Sequence, residues 1–135
     1  MLSLSVDSVY VHKVWNESEL SKMVTGGVPF PMLSDPGGKI GREYNVYNED
    51  TAVDLRGTFI IDPDGVIQGY QVLTSVVGRS TDEIIRLIHA FQIVRESKEK
   101  EFTPADWKPG MMVLKPAVEL VGRVWEMWKP DRSRE

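Results

Sequence analysis

Gly57-Thr58-Phe59-Ile60-Ile61-Asp62-Pro63-Asp64-Gly65-Val66-Ile67-Gln68-Gly69-Tyr70-Gln71-Val72-Leu73 sets two β-branched and aromatic runs on either side of Asp-Pro-Asp-Gly. Such side chains fit a pleated surface, and the four turn residues supply the backbone angles of a tight reversal. The segment predicts an antiparallel hairpin with strands at 57–61 and 66–73. Downstream, Gly78 precedes Ser80, and Glu83 three residues later completes a capping-box signal. Ile84, Leu87, Ile88 and Phe91 follow at helical spacing, so a helix with one apolar face turned to the sheet is expected. Residues 95–101, Arg-Glu-Ser-Lys-Glu-Lys-Glu, read as an exposed charged linker. Beyond them Pro116 and the stripe Ala117, Leu120, Val121, Val124 and Trp128 predict a last helix.

Upstream of the hairpin, Leu2-Ser3-Leu4-Ser5-Val6 alternates in the two-residue period of a strand. A short helical stretch is expected over 8–15. Asn16 with Glu19 then gives a start signal for a helix to about Met23, which Gly26-Gly27 stops. Pro29 and Pro31 restrict 28–33 to a short extended or edge piece, Ser34 to Gly38 is a turn-rich loop, and a brief helix over 39–44 follows. The order is strand, helix, short strand, helix, hairpin, helix, tail, which is α/β or α+β with one mixed sheet.

The 135 residues carry a formal charge of -4, 41% hydrophobic and 27% charged side chains, and no cysteine. That balance fits one water-soluble domain and offers no field to attract nucleic acid or an anionic membrane, so neither is expected as a partner. No apolar run approaches the roughly 20 residues of a spanning helix. The opening residues lack a basic stretch and reach Asp7 early, so no signal peptide is expected. A cytoplasmic location fits the missing cysteines. Their absence also removes thiol nucleophiles, thiolate metal ligands and disulfides from this chain.

The two histidines, His12 and His89, lie on different elements outside any nucleophile motif, and His89 reads as a boundary residue of its helix. Two histidines without cysteine are too few for zinc, and the carboxylates match no calcium loop, so no metal is expected. Asp62-x-Asp64-Gly65 is a turn rather than a cation site. The glycine pairs lack a phosphate-binding context, so phosphate binding is not expected. Trp125, Met127 and Trp128 fit either a core or an assembly surface.

Five motifs in order give the chain a family resemblance. Leu4-Ser5-Val6-Asp7-Ser8 with His12 and Trp15 comes first, then Pro31-Met32-Leu33-Ser34-Asp35, then Arg56-Gly57-Thr58-Phe59-Ile60-Ile61-Asp62. Val77-Gly78-Arg79-Ser80 with Asp82-Glu83, and Thr103-Pro104-Ala105-Asp106-Trp107-Lys108-Pro109-Gly110, complete the set. Together they resemble the C-terminal half of typical peroxiredoxins, the alkyl hydroperoxide reductase and thioredoxin peroxidase family.

The resemblance implies the C-terminal portion of a thioredoxin-like α/β fold, a mixed sheet lacking its N-terminal strands and catalytic helix. Residues 1–94 would belong to that domain, and 95–135 would form the family's C-terminal extension with its terminal helix. In the family the strand before the catalytic helix lies between the strands matching 2–6 and 57–61. A separate chain would therefore fill the gap and bring the peroxidatic cysteine. The implied activity is that of a thiol peroxidase acting on hydrogen peroxide and organic hydroperoxides, without metal or organic cofactor. Arg56 matches the arginine that holds the thiolate and peroxide oxygens, Arg79 a second arginine near the same pocket, and His12 and Trp15 would support its wall. Thr103 occupies the resolving-cysteine position and cannot form a disulfide. Strand 66–73 matches the edge through which family dimers join, so a homo- or hetero-oligomer is implied. Two alternatives stay open: a non-catalytic assembly module, and a truncated fragment of an ordinary enzyme.

Overall fold

The computed structural model describes residues 1–130 and divides the chain into two compact units, Met1–Arg79 and Ser80 onward. The division falls before the long helix. Unit 1 begins with β1 (Ser3–Ser5), α1 (Val9–Trp15) and α2 (Ser21–Met23), followed by β2 (Met32–Ser34). β1 and β2 pair in parallel, with Ser3 opposite Met32 and Ser5 opposite Ser34. A parallel pair requires a crossover, and the helical segment between the two strands provides it. The Ser8 side chain caps α1 by accepting from Val11 N–H at 3.3 Å.

The expected second helix start at Asn16 is not there. Residues Asn16–Leu20 form a π-turn that joins α1 to α2 in one continuous run. The Asn16 side chain instead accepts from Val28 N–H at 3.0 Å, pinning the loop that returns the chain to β2. An N-x-x-E sequence looks the same whether its asparagine caps a helix or ties down a distant loop.

Beyond β2 come α3 (Lys39–Glu43), β3 (Tyr47–Asn48) and β4 (Val53–Asp54), the last two an antiparallel pair that the sequence reading did not foresee. Asn48 Oδ1 accepts from Asp50 and Thr51 N–H and so forms the reversal between them. The predicted hairpin is present as β5 (Arg56–Ile61) and β6 (Ile67–Leu73). Asp62 Oδ1 accepts from the N–H groups of Asp64 and Val66, and Gly65 adopts φ +82°, a conformation costly for any residue with a Cβ. The register slips between Ile60 and Ile61, where the strands leave the turn. Phe59 stacks on Tyr70 at 6.0 Å and meets Tyr44 edge to face at 4.7 Å.

Each of these sheets has two strands: β1-β2, β3-β4 and β5-β6. Two-stranded sheets are marginal by themselves, and the packing reflects it. Among the described residues no large side chain is fully buried, and the buried apolar side chains are Val46, Ala90, Pro104, Trp107 and Leu114.

In unit 2, Ser80 Oγ accepts from Glu83 N–H at 3.2 Å and opens α4 (Thr81–Glu96), as the capping signal predicts. The Glu83 carboxylate turns to Arg86 instead of back to the cap. Phe102 and Leu114 exchange both backbone hydrogen bonds and close the following arm into a loop. The expected last helix is absent. Val118–Leu120 and Val124–Glu126 form single 3-10 turns, separated by extended Val121 and by Gly122 at φ +74°. The stripe has helical spacing, but three β-branched valines and a central glycine weaken a helix with no surface to cover. Val118, Val121, Trp125 and Met127 are exposed, and Trp128 is half-buried.

One carboxyl in unit 1 is poorly placed. Both Asp54 oxygens are shielded from solvent without a donor, while Asp35 accepts from the N–H groups of Ile40 and Gly41. A Cβ at Gly41 would lie 2.1 Å from Asp54 Oδ1, so only glycine lets the carboxyl in. Burial, and secondarily the Asp35 charge, push the Asp54 pKa up. A raised carboxyl pKa favours the protonated form in the folded state, so this stability is present at low pH and lost as pH rises through the folded value. Asp54→Asn is therefore expected to stabilise unit 1 at pH 7 by about 1 kcal/mol, with the gain shrinking toward pH 4. Urea titrations at both pH values test this, and an equal effect at both would contradict it.

Candidate active site

Arg56 opens β5 opposite Leu73, and its Nε donates to Ser75 O at 2.7 Å. Arg79 Nη1 donates to Gly57 O at 3.3 Å. Each arginine thus reaches across the same stretch of chain, one from the first residue of β5 and the other onto its second. Both are exposed. Among the described residues no carboxylate pairs with either, whereas Arg42, Arg86 and Arg123 are bound bidentately by Glu49, Glu83 and Glu126. One donor of each guanidinium holds to backbone while its other N–H groups stay available. Both guanidinium groups are thus tethered near the start of β5, each by one hydrogen bond to a backbone carbonyl. Along β5 the period of two puts Thr58 on the face of Arg56, and Thr58 Oγ1 is buried without a partner.

His12 is 6% exposed, on α1 just after β1. Its Nε2 lies 2.8 Å from Ser5 Oγ, the last side chain of β1, and Ser5 Oγ donates to Asp7 Oδ2 at 2.9 Å. Ser34 Oγ donates to Asp7 O at 2.6 Å and ties the end of β2 to the same knot. Trp15 is exposed and donates Nε1–H to Glu19. His89 is exposed on α4. Among the described residues no three histidine or carboxylate side chains converge as metal ligands. No helix there is long and apolar enough to cross a membrane.

Thr103 belongs to unit 2 and is described apart from the arginines. It is half-buried beside the Phe102–Leu114 bridge. Trp107, 2% exposed, anchors this arm: its Nε1 donates to Met111 O at 3.1 Å, and its carbonyl accepts from Arg86 Nη1 at 3.1 Å. Hydrogen bonding to Glu83 raises the Arg86 pKa and lowers that of the glutamate. Motif resemblance marks Arg56, Arg79 and Thr103 in the sequence. It missed the orphaned Thr58 and Asp54 groups, because orphaning depends on what the fold brings near.

The model of the AhpC/TSA family matches residues 1–70. The selenocysteine-containing peroxiredoxin PrxU of Peptoclostridium acidaminophilum is 59% identical over 135 residues, all of this chain and 66% of its own length. Alkyl hydroperoxide reductase C of Amphibacillus xylanus is 40% identical over 122 residues, 90% of this chain and 63% of its own length. Among solved structures, the reduced 2-Cys peroxiredoxin of Plasmodium vivax matches with TM-score 0.78 at 37% identity, covering 87% of this chain and 60% of that one. The chain spans less than two thirds of the length of each of these three.

The arm that presents Thr103 depends on one indole. Trp107→Ala is expected to cost about 3–5 kcal/mol and to release the arm. Hydrogen exchange of the Phe102 and Leu114 amides reads this directly: both should lose protection, and undiminished protection would show that the bridge stands without Trp107.

Proposed function

Because the chain belongs to the AhpC/TSA family of peroxiredoxins, we propose that it is the arginine-bearing part of a peroxidase whose nucleophile is carried by a separate polypeptide. The observation that carries this reading is the pair Arg56 and Arg79, each tethered to a backbone carbonyl at one end of β5 and neither neutralised by an acid. The chain has no cysteine, so a donated segment supplies the reacting chalcogen. The 59% identical relative is named for its selenocysteine, so that atom is selenium or sulfur.

The reaction follows from the charges. A thiolate or selenolate attacks the outer oxygen of a hydroperoxide, the chalcogen–oxygen bond forms as the O–O bond breaks, and the leaving oxygen departs as hydroxide or alkoxide. Protonation gives water or alcohol, and the nucleophile is left as sulfenic or selenenic acid. Guanidinium groups favour this twice. They stabilise the anionic nucleophile, lowering its pKa, and then the charge growing on the leaving oxygen. Thr103 offers no thiol for resolution, so a reductant or another thiol regenerates the site. The filled gap would join β1 and β5 into one sheet, and the cytoplasm is the compartment we assign.

A second reading rests on the exposed apolar side chains Tyr10, Val14, Tyr70 and Trp125, which suit an assembly module without catalysis. One experiment separates the two. The chain is co-expressed with the third of the Peptoclostridium relative that it does not match, and peroxide consumption is followed. Activity should appear, Arg56→Ala should lower kcat/KM at least about a hundredfold, and Arg79→Ala should lower it less, as expected for lost oxyanion-type donors. Replacing the chalcogen residue with serine should abolish it. An inactive complex, or a fully active Arg56→Ala variant, would refute the catalytic reading.

A further inference from the structure

The proton on His12 can be placed by counting hydrogen bonds. Ser5 Oγ has one hydrogen, and it is directed to Asp7 Oδ2 at 2.9 Å. Its lone pairs then accept from Asp7 N–H at 3.2 Å and face His12 Nε2 at 2.8 Å. Nε2 must therefore be the donor, and a neutral imidazole that donates from Nε2 leaves Nδ1 as a bare acceptor. That atom is shielded from solvent and has no hydrogen-bond partner in a residue that is 6% exposed. Asp7 and Ser5 thus hold an unfilled acceptor in a fixed orientation, and Asp7 is the charged group in this relay.

We infer that His12 Nδ1 accepts a hydrogen bond from an N–H or O–H of the polypeptide segment that docks along the open edge of β1. This rests on the reading that such a segment completes the sheet. The occupant is a polypeptide for two reasons. Ser3 N–H donates to Pro31 O and Asp35 N–H donates to Ser5 O, so the strand pleat turns the N–H and C=O of Leu4 to the side away from β2, where an added strand would pair. The relatives are also longer, this chain spanning 66% and 63% of two of them, so each has polypeptide beyond the matched part. His12 is then a positioning residue, holding the donated segment at the carboxyl end of β1, and the Asp7–Ser5 relay selects its tautomer.

The test uses this chain with 15N-labelled histidine, alone and reconstituted with the unmatched third of the Peptoclostridium relative. Long-range proton–nitrogen correlations should place the hydrogen of His12 on Nε2 in both states. On reconstitution the Nδ1 resonance should move upfield into the range of a hydrogen-bonded acceptor. His12→Phe, which fills the space without an acceptor, should weaken the complex about tenfold, and His12→Asn, which restores an acceptor near Nδ1, should lose less. An unmoved Nδ1 resonance in a complex that consumes peroxide overturns this inference and leaves the functional reading intact. An Nδ1 already bonded to a buried water in the isolated chain, unchanged on reconstitution, overturns it equally. Failure of the wild-type chain to form an active complex overturns the functional reading itself.

Discussion

A β-strand has hydrogen-bonding groups on both edges, and a buried sheet needs both edges met. β1 meets only β2, and β5 meets only β6, so unit 1 consists of ribbons two strands wide. The thin packing follows from this. A sheet that does not continue cannot present a broad apolar face, and side chains that would be sealed beneath one remain half-buried or exposed. Unit 1 also holds the orphaned polar atoms. His12 Nδ1 lies beside β1, and Thr58 Oγ1 and the Asp54 carboxyl lie on β5 and β4. None of these atoms has a hydrogen-bond partner among the described residues.

The site inherits its character from these edges. Arg56 and Arg79 are exposed at the end of a two-stranded ribbon, and backbone carbonyls hold them without cancelling their charge. An acid in their place would have neutralised the field, as Glu49 does for Arg42. Two oriented cations can bind an anion but cannot attack a peroxide, and the composition offers no chalcogen nucleophile to do so. In the proposed peroxidase the chain would supply electrostatics and a donated segment the reacting atom.

The hairpin and the α4 cap were legible because their signals are local: turn residues between β-branched runs, and serine three places before glutamate. The crossover between β1 and β2 was legible in outline, yet Asn16 was misread because its real partner, Val28, lies twelve residues away. β3 and β4 were missed since two-residue strands are too short to show a period. The last helix was misjudged because spacing counted its apolar residues and gave no weight to Gly122. Arg56 and Arg79 could not be found by spacing at all; motif resemblance marked them. The Asp7–Ser5–His12 relay was hidden in a motif read only as a family signature, because a tautomer depends on which way one hydroxyl points.

The proposed complex places a strand from another polypeptide along β1. Hydrogen exchange at the Leu4 amide measures this most directly, since β2 leaves that N–H unpaired. Fast exchange is expected in the isolated chain and strong protection in the peroxide-consuming complex. Exchange at the same rate in both would contradict it.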